Sequence, residues 1–308
     1  MNYFFTFLFT CLTVTIAAQE SLMKKLGYDD NTKLLIIHGD DLGVAHSKNE
    51  ASILALKVGM VNSASIMMPC PWVEEVAVYF RDNPEVDFGL HLTMTNEWYH
   101  MNWGPVASSD KVPSLVNDKG FMFPNCLEFG QNATVAEAEI ELRAQIEQAY
   151  KMGIIPTHFD AHMGCLLFNS ADLFEVYLKL GREYKTPVMV SRLFLKAASQ
   201  AFLDKITDED IIIEHVMSAS PQDYDSGMAK YYTNTLKNLD PGINVLLIHL
   251  GFDNAEMQAL TIGQEYWGSK WRQEDFNFFT SEACRNILKE ENIKLITWKE
   301  IKEVWYTN

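Results

Sequence analysis

The sequence predicts an α/β fold, a distorted (β/α) barrel built as a single domain. Eight short apolar runs, at 33–38, 61–68, 86–92, 154–160, 187–191, 210–216, 244–249 and 294–298, read as strands, with helical stretches between several of them. Eight strands with helical crossovers suit a barrel better than an open sheet. No repeat, low-complexity tract or Pro/Gly/Ser linker divides the 308 residues, a length that one large α/β domain can fill.

The first residues stand apart from this pattern. Met1 to Ala18 hold no Asp, Glu, Lys or Arg, and Phe4 to Ile16 is apolar. The run closes on Thr15-Ile16-Ala17-Ala18-Gln19, small residues that suit a signal peptidase. A membrane span needs about 20 apolar residues, more than this run offers. The expectation is therefore a cleaved export signal over 1–18 and a barrel domain over 19–308. The mature chain, periplasmic or secreted, would carry no membrane span.

The helices follow in order. Ser47 is placed to cap one that runs to Val58 and stops at Gly59. Thr134 and Glu137 form a capping box for a second, reaching Met152 and closed by Gly153. Its Leu142, Ile146 and Tyr150 recur every four residues and give it an apolar face. Ala171 to Tyr184 and Ser281 to Glu291 read as further helices. Two segments break the alternation. Residues 94–133 form a long connection rich in rings, and Trp98 and Trp103 offer the largest flat surfaces for stacking on a sugar. Ser218 to Tyr232, with Tyr224, Tyr231 and Tyr232, is a second possible pocket wall.

Composition narrows the function. With 48% hydrophobic and 21% charged residues the chain is ordinary globular material, and its formal net charge of −16 repels nucleic acid and anionic membrane surfaces. Beyond the signal, Cys70, Cys126, Cys165 and Cys284 are too widely spaced for a zinc ribbon and are expected to be mostly buried free thiols.

Chemistry concentrates where strands run out. Leu34–Ile37 leads into His38-Gly39-Asp40-Asp41-Leu42-Gly43, Val86–Leu90 into His91, and Ile154–Thr157 into His158-Phe159-Asp160-Ala161-His162. Side chains at the C-terminal ends of parallel strands converge on one pocket. An extended His-x-Asp-x-His segment turns three polar groups to one face, costly to bury without a charge partner. Two histidines and a carboxylate make a divalent-metal site with room for water, the wiring of a metal-dependent hydrolase. Of two adjacent carboxylates, one can bind the metal while the other accepts a proton from water. The imidazoles favour zinc or another transition metal, with magnesium possible.

These motifs resemble the YdjC-like carbohydrate deacetylases, the group that includes the bacterial chitooligosaccharide deacetylases. The matching stretches are Asp40-Asp41-Leu42-Gly43, Gly59-Met60-Val61-Asn62-Ser63-Ala64-Ser65, Gly89-Leu90-His91-Leu92 and Thr157-His158-Phe159-Asp160-Ala161-His162. Order and spacing hold from residue 33 to about 165, and more loosely beyond. The resemblance implies one divalent metal held by Asp41, His91 and His162, with Asp40 as general base and an acylated sugar or oligosaccharide as substrate. It also implies that His249, after Val245–Ile248, protonates the leaving amine, and that His158 and Asp160 orient the ligands. Three departures bear on the substrate, the first being the length and aromatic content of the connection over 94–133. Met163-Gly164-Cys165 follows His162 where the family commonly has further histidines, and Leu250 follows His249 where it commonly has proline. Another metal-dependent amide or ester hydrolase, or a secreted carbohydrate-binding protein without turnover, are the alternative readings.

Overall fold

A computed structural model describes residues 22–306. The export signal expected over 1–18 lies outside the described residues. Seven parallel strands form one sheet in the order β4-β3-β2-β1-β6-β5, with β7 paired to the start of β1. They are β1 (Lys33–Leu42), β2 (Ser63–Ile66), β3 (Phe88–Leu92), β4 (Phe159–Ala161), β5 (His215–Ser218), β6 (Gly242–Ile248) and β7 (Lys294–Leu295). β1 is the spine. Its Leu34-Leu35-Ile36-Ile37 run is fully buried, as a strand covered on both faces requires.

The expected strands at 187–191 and 210–216 are largely reduced to isolated parallel bridges, Phe159↔Val188 and Ser191↔Ile213. They continue the path from β4 toward β5, so the sheet curls as a distorted, partly open barrel. Crossover helices cover its outside, chief among them His46–Val58, Val73–Asp82, Val135–Lys151, Ala171–Glu183 and Ser269–Phe279.

Two local expectations are corrected. Ser47 does not cap the first of these helices: it lies inside, and the Glu256 carboxylate accepts from the amides of His46 and Ser47 at 3.2 and 2.7 Å. Two of the four cysteines are not free: Cys126 and Cys165 form a disulfide, while Cys70 and Cys284 are buried thiols. The bond ties the short helix Cys126–Asn132, in the long connection, to the segment just after His162.

Candidate metal centre

Alternation along β1 turns His38 and Asp40 to the same face. Asp41 joins them because its backbone is left-handed, φ 66°, a conformation that costs a residue with a Cβ about 1 kcal/mol or more. The turn closes at Gly43, φ 93°, where a Cβ would stand 2.7 Å from Val73 Cγ2, so only glycine fits. β3 supplies His91, and β4 with the turn after it supplies Asp160 and His162. The parallel register sets His91 opposite Asp160, and His91 Nδ1 lies 3.0 Å from Asp160 Oδ1.

Three buried side-chain atoms that could serve as metal ligands converge from three strand ends. Asp41 Oδ1 stands 3.5 Å from His91 Nε2 and 3.6 Å from His162 Nδ1. Oδ1 of Asp41 is buried with no hydrogen-bond partner among the described residues. An orphaned carboxylate oxygen facing two imidazole nitrogens is a donor set that fits a divalent transition ion. Burial opposes ionisation of Asp41, but His91, Arg272, His249 and His162 outweigh it and hold the carboxyl well below the ordinary carboxylate range.

Asp40 sits between two histidines, with Oδ1 at 3.2 Å from His38 Nε2 and Oδ2 at 3.7 Å from His249 Nε2. His249 follows β6, and its amide donates to Asp275 Oδ2 at 2.8 Å. Burial lowers its imidazole to about 4, so it is neutral near pH 7. His158 lies away from the three ligand atoms. Its Nδ1 meets Thr157 Oγ1 at 3.0 Å, its ring stacks on Trp298 at 5.1 Å, and the bare Cα of Gly89 gives it room.

Trp98 and Trp103 are corrected as sugar platforms. They are only 2% and 3% exposed. The Arg272 guanidinium lies over the Trp98 ring at 5.2 Å, and Trp103 Nε1 donates to the Thr95 carbonyl at 3.1 Å. Packing rather than ligand occupies both indoles. Of the three tyrosines expected in a second wall, Tyr232 is buried and donates to Asp275 Oδ1, while Tyr224 stacks on Trp271.

Three further residues contribute, to which the sequence alone assigns no role. His38 Nδ1 lies 2.9 Å from Ser63 Oγ, and its Nε2 lies 3.1 Å from both Ser65 Oγ and Asp160 Oδ2. Burial opposes its charge, but Asp160 and Asp40 raise it to about 9, making it a resident counter-charge for both acids. Its signal was legible: it stands two residues before Asp40 in a strand. Glu97, from the long connection, meets His162 Nε2 at 2.8 Å. Arg272, from the helix Ser269–Phe279, donates to Asp41 Oδ2 at 3.0 Å. It lies 231 residues from its partner, with no local pattern to announce it.

The profile of the YdjC-like protein family matches residues 34–290. The chain belongs to the YdjC-like family. A protein of Thermus thermophilus named carbohydrate deacetylase is 30% identical over 292 residues, covering 92% of this chain and 99% of that one. One of the same name from Thermoanaerobacter pseudethanolicus is 24% identical over 274 residues, covering 88% and 100%. A solved structure from Enterococcus faecalis, assigned to cellobiose-phosphate cleavage, aligns with a TM-score of 0.71 at 22% identity. It covers 88% of this chain and 99% of its own, and shows that the fold is shared. In this YdjC-like chain, Asp40, Asp41, His91, Asp160 and His162 from three of the four motifs meet at one end of the sheet, and Ser63 and Ser65 of the fourth contact His38 beside them.

Proposed function

We propose that this protein is a metal-dependent hydrolase that removes an acetyl group from an N-acetylated sugar or oligosaccharide. The observation that carries the reading is the meeting of Asp41 Oδ1, His91 Nε2 and His162 Nδ1, with Asp40 beside them on its own pair of histidines. The names of the two relatives support the reaction and the sugar.

Asp41, His91 and His162 would hold one divalent ion, zinc or another transition metal ahead of magnesium, which prefers all-oxygen sites. Such an ion supplies Lewis acidity, polarising an acyl oxygen and acidifying a water. Asp40 accepts the proton of the attacking water, with the cationic His38 steadying the carboxylate on its other side. Breaking the amide requires a proton on the departing nitrogen. His249, neutral near pH 7 and 3.7 Å from Asp40, can take up a proton from Asp40 and pass it on. Arg272 fixes Asp41 Oδ2 and so leaves Oδ1 facing the imidazoles. Asp160 orients His91, and Glu97 orients His162.

The export reading over 1–18 belongs to the same proposal. The Cys126–Cys165 disulfide supports it, because such bonds persist in oxidising compartments. Among the described residues no helix is long and apolar enough to cross a membrane.

Mass spectrometry of N-acetylated sugars after incubation, with and without chelator, tests the reaction. Loss of one acetyl group that stops on chelation and returns with zinc is the expected result. Turnover unaffected by chelation overturns the metal; no turnover of any acylated sugar overturns the reaction.

A further inference from the structure

The seven tryptophans are distributed in a way that points to the substrate path. Trp98, Trp103, Trp271 and Trp298 are buried and Trp305 is half-buried. Only Trp72 and Trp267 are well exposed, at 41% and 38%. Both lie in connections that leave the C-terminal ends of strands. Trp72 stands between β2 and the helix Val73–Asp82, and Trp267 between β6 and the helix Ser269–Phe279. β2 and β6 pair with the later residues of β1, whose end carries Asp40 and Asp41, while β7 pairs only with its start. The connections that carry the two exposed indoles therefore leave the sheet on either side of the strand end that holds Asp40 and Asp41.

Each indole is braced by a neighbouring ring, and its backbone is tied to the Asp40–Asp41 turn or to a residue that holds it. Trp72 packs on the His46 ring at 5.2 Å, and His46 is itself held by Glu75 at 2.6 Å. The Trp72 amide donates to the carbonyl of Gly43, two residues beyond Asp41, at 2.8 Å. Trp267 stacks on buried Trp271 at 5.1 Å, and Trp271 stacks on Tyr224 at 4.9 Å. The Trp267 backbone is left-handed, φ 55°, and its carbonyl accepts from Arg272 Nε at 2.8 Å while Nη1 of the same guanidinium holds Asp41. The left-handed backbone at Trp267 is costly for a residue with a Cβ, and it holds a partly exposed ring against a buried aromatic support.

We propose that Trp72 and Trp267 are sugar-stacking walls on either side of the candidate centre, binding the sugar residues that flank the acylated one. They are specificity residues for an extended chain and take no part in the chemistry. This inference rests on the carbohydrate reading of the centre and replaces the platforms that the buried Trp98 and Trp103 cannot supply.

The test uses the full chain loaded with zinc, with Trp72→Ala, Trp267→Ala and the two Phe variants. Binding of the trisaccharide of β-linked N-acetylglucosamine, and of the monosaccharide, is measured by calorimetry in an Asp40→Asn background. Hydrolysis of a small aryl acetate is measured with Asp40 intact. Each Ala variant should weaken the trisaccharide about 10-fold, Phe should restore most of it, and the aryl ester should keep its kcat. The monosaccharide should lose less than the trisaccharide. Trisaccharide binding unchanged in both Ala variants overturns the walls while leaving the reaction standing. Equal loss on trisaccharide and aryl ester overturns them too, since it marks a structural role. Indole-dependent binding without any acetyl release supports the walls and fails the reaction alone. A parent protein that binds neither sugar overturns both.

Discussion

Glu97 Oε2 lies 2.8 Å from His162 Nε2, on the opposite side of the ring from the nitrogen that faces Asp41. The contact fixes which imidazole nitrogen carries the hydrogen and leaves Nδ1 as the free donor. It also links the long connection, which contributes Glu97, to the candidate centre. Glu97→Ala should lower metal affinity about 10–100-fold, as loss of a carboxylate behind a ligating histidine typically does. Glu97→Gln, which can still accept through its amide oxygen, should lose less. Metal titration of the two variants checks this; affinities equal to the parent's would show that His162 is held by other means.

The ligand set makes a sharper prediction. His91→Ala or His162→Ala leaves two protein donors and should strip most of the metal from the purified protein. His158→Ala should keep it, because that ring touches Thr157, His38 and Trp298 and none of the three ligands. Elemental analysis decides between them. Full occupancy in His162→Ala would move the site elsewhere, to His38, His158 and Asp160 or to Asp40, His91 and Asp160, the other buried groupings.

Asp40→Asn keeps the shape of the side chain but removes its capacity to take a proton. Turnover should fall about 10²–10⁴-fold with metal content unchanged. A variant with near-parental kcat would reduce Asp40 to a turn residue, and its contacts to His38 and His249 to structural ones.

The convergence of Asp41, His91 and His162 was legible because these residues lie at or just after strand ends in short ordered motifs. Period-two alternation in β1 could also have added His38 to Asp40. Arg272 and Glu97 were out of reach for a different reason: each meets its partner through tertiary packing that no local pattern encodes. The same holds for Trp98 and Trp103. Ring size marked them as platforms, whereas the fold covers Trp98 with a guanidinium and turns Trp103 inward to the Thr95 carbonyl. Strand 187–191 is reduced to bridges, since pairing depends on the neighbouring strands and not on residue propensity alone.

The Cys126–Cys165 bond closes a loop with a sequence separation of 39 residues, and that loop contains the last residues of the connection and the helix Val135–Lys151. In the chain-entropy picture a loop of this size contributes about 3–4 kcal/mol. Cys126→Ser with Cys165→Ser should therefore lower stability by about 2–4 kcal/mol, read as a shifted denaturation midpoint. Because Cys165 stands three residues after His162, metal affinity should fall as well. An unchanged midpoint would show that packing of the helix Cys126–Asn132 alone fixes this segment.

Glu141 gives stability a pH dependence. Its buried carboxyl accepts from the amides of Val106 and Ala107 at 2.9 and 2.8 Å, and Gln145 beside it grips Thr93, two residues past His91. Burial raises Glu141 to about 7 from 4.5, despite those donors. Between these values the folded chain holds a proton that the unfolded chain has lost. The contribution is therefore fully present below about pH 4.5 and is lost as pH rises through about 7, at up to about 1.4 kcal/mol per pH unit. Glu141→Gln cannot titrate, so its denaturation midpoint should fall less steeply than the parent's between pH 5 and 7 (about the titration window). Parallel midpoint curves for the two proteins would show that Glu141 is ionised throughout, held so by the two amides that tie the long connection to its helix.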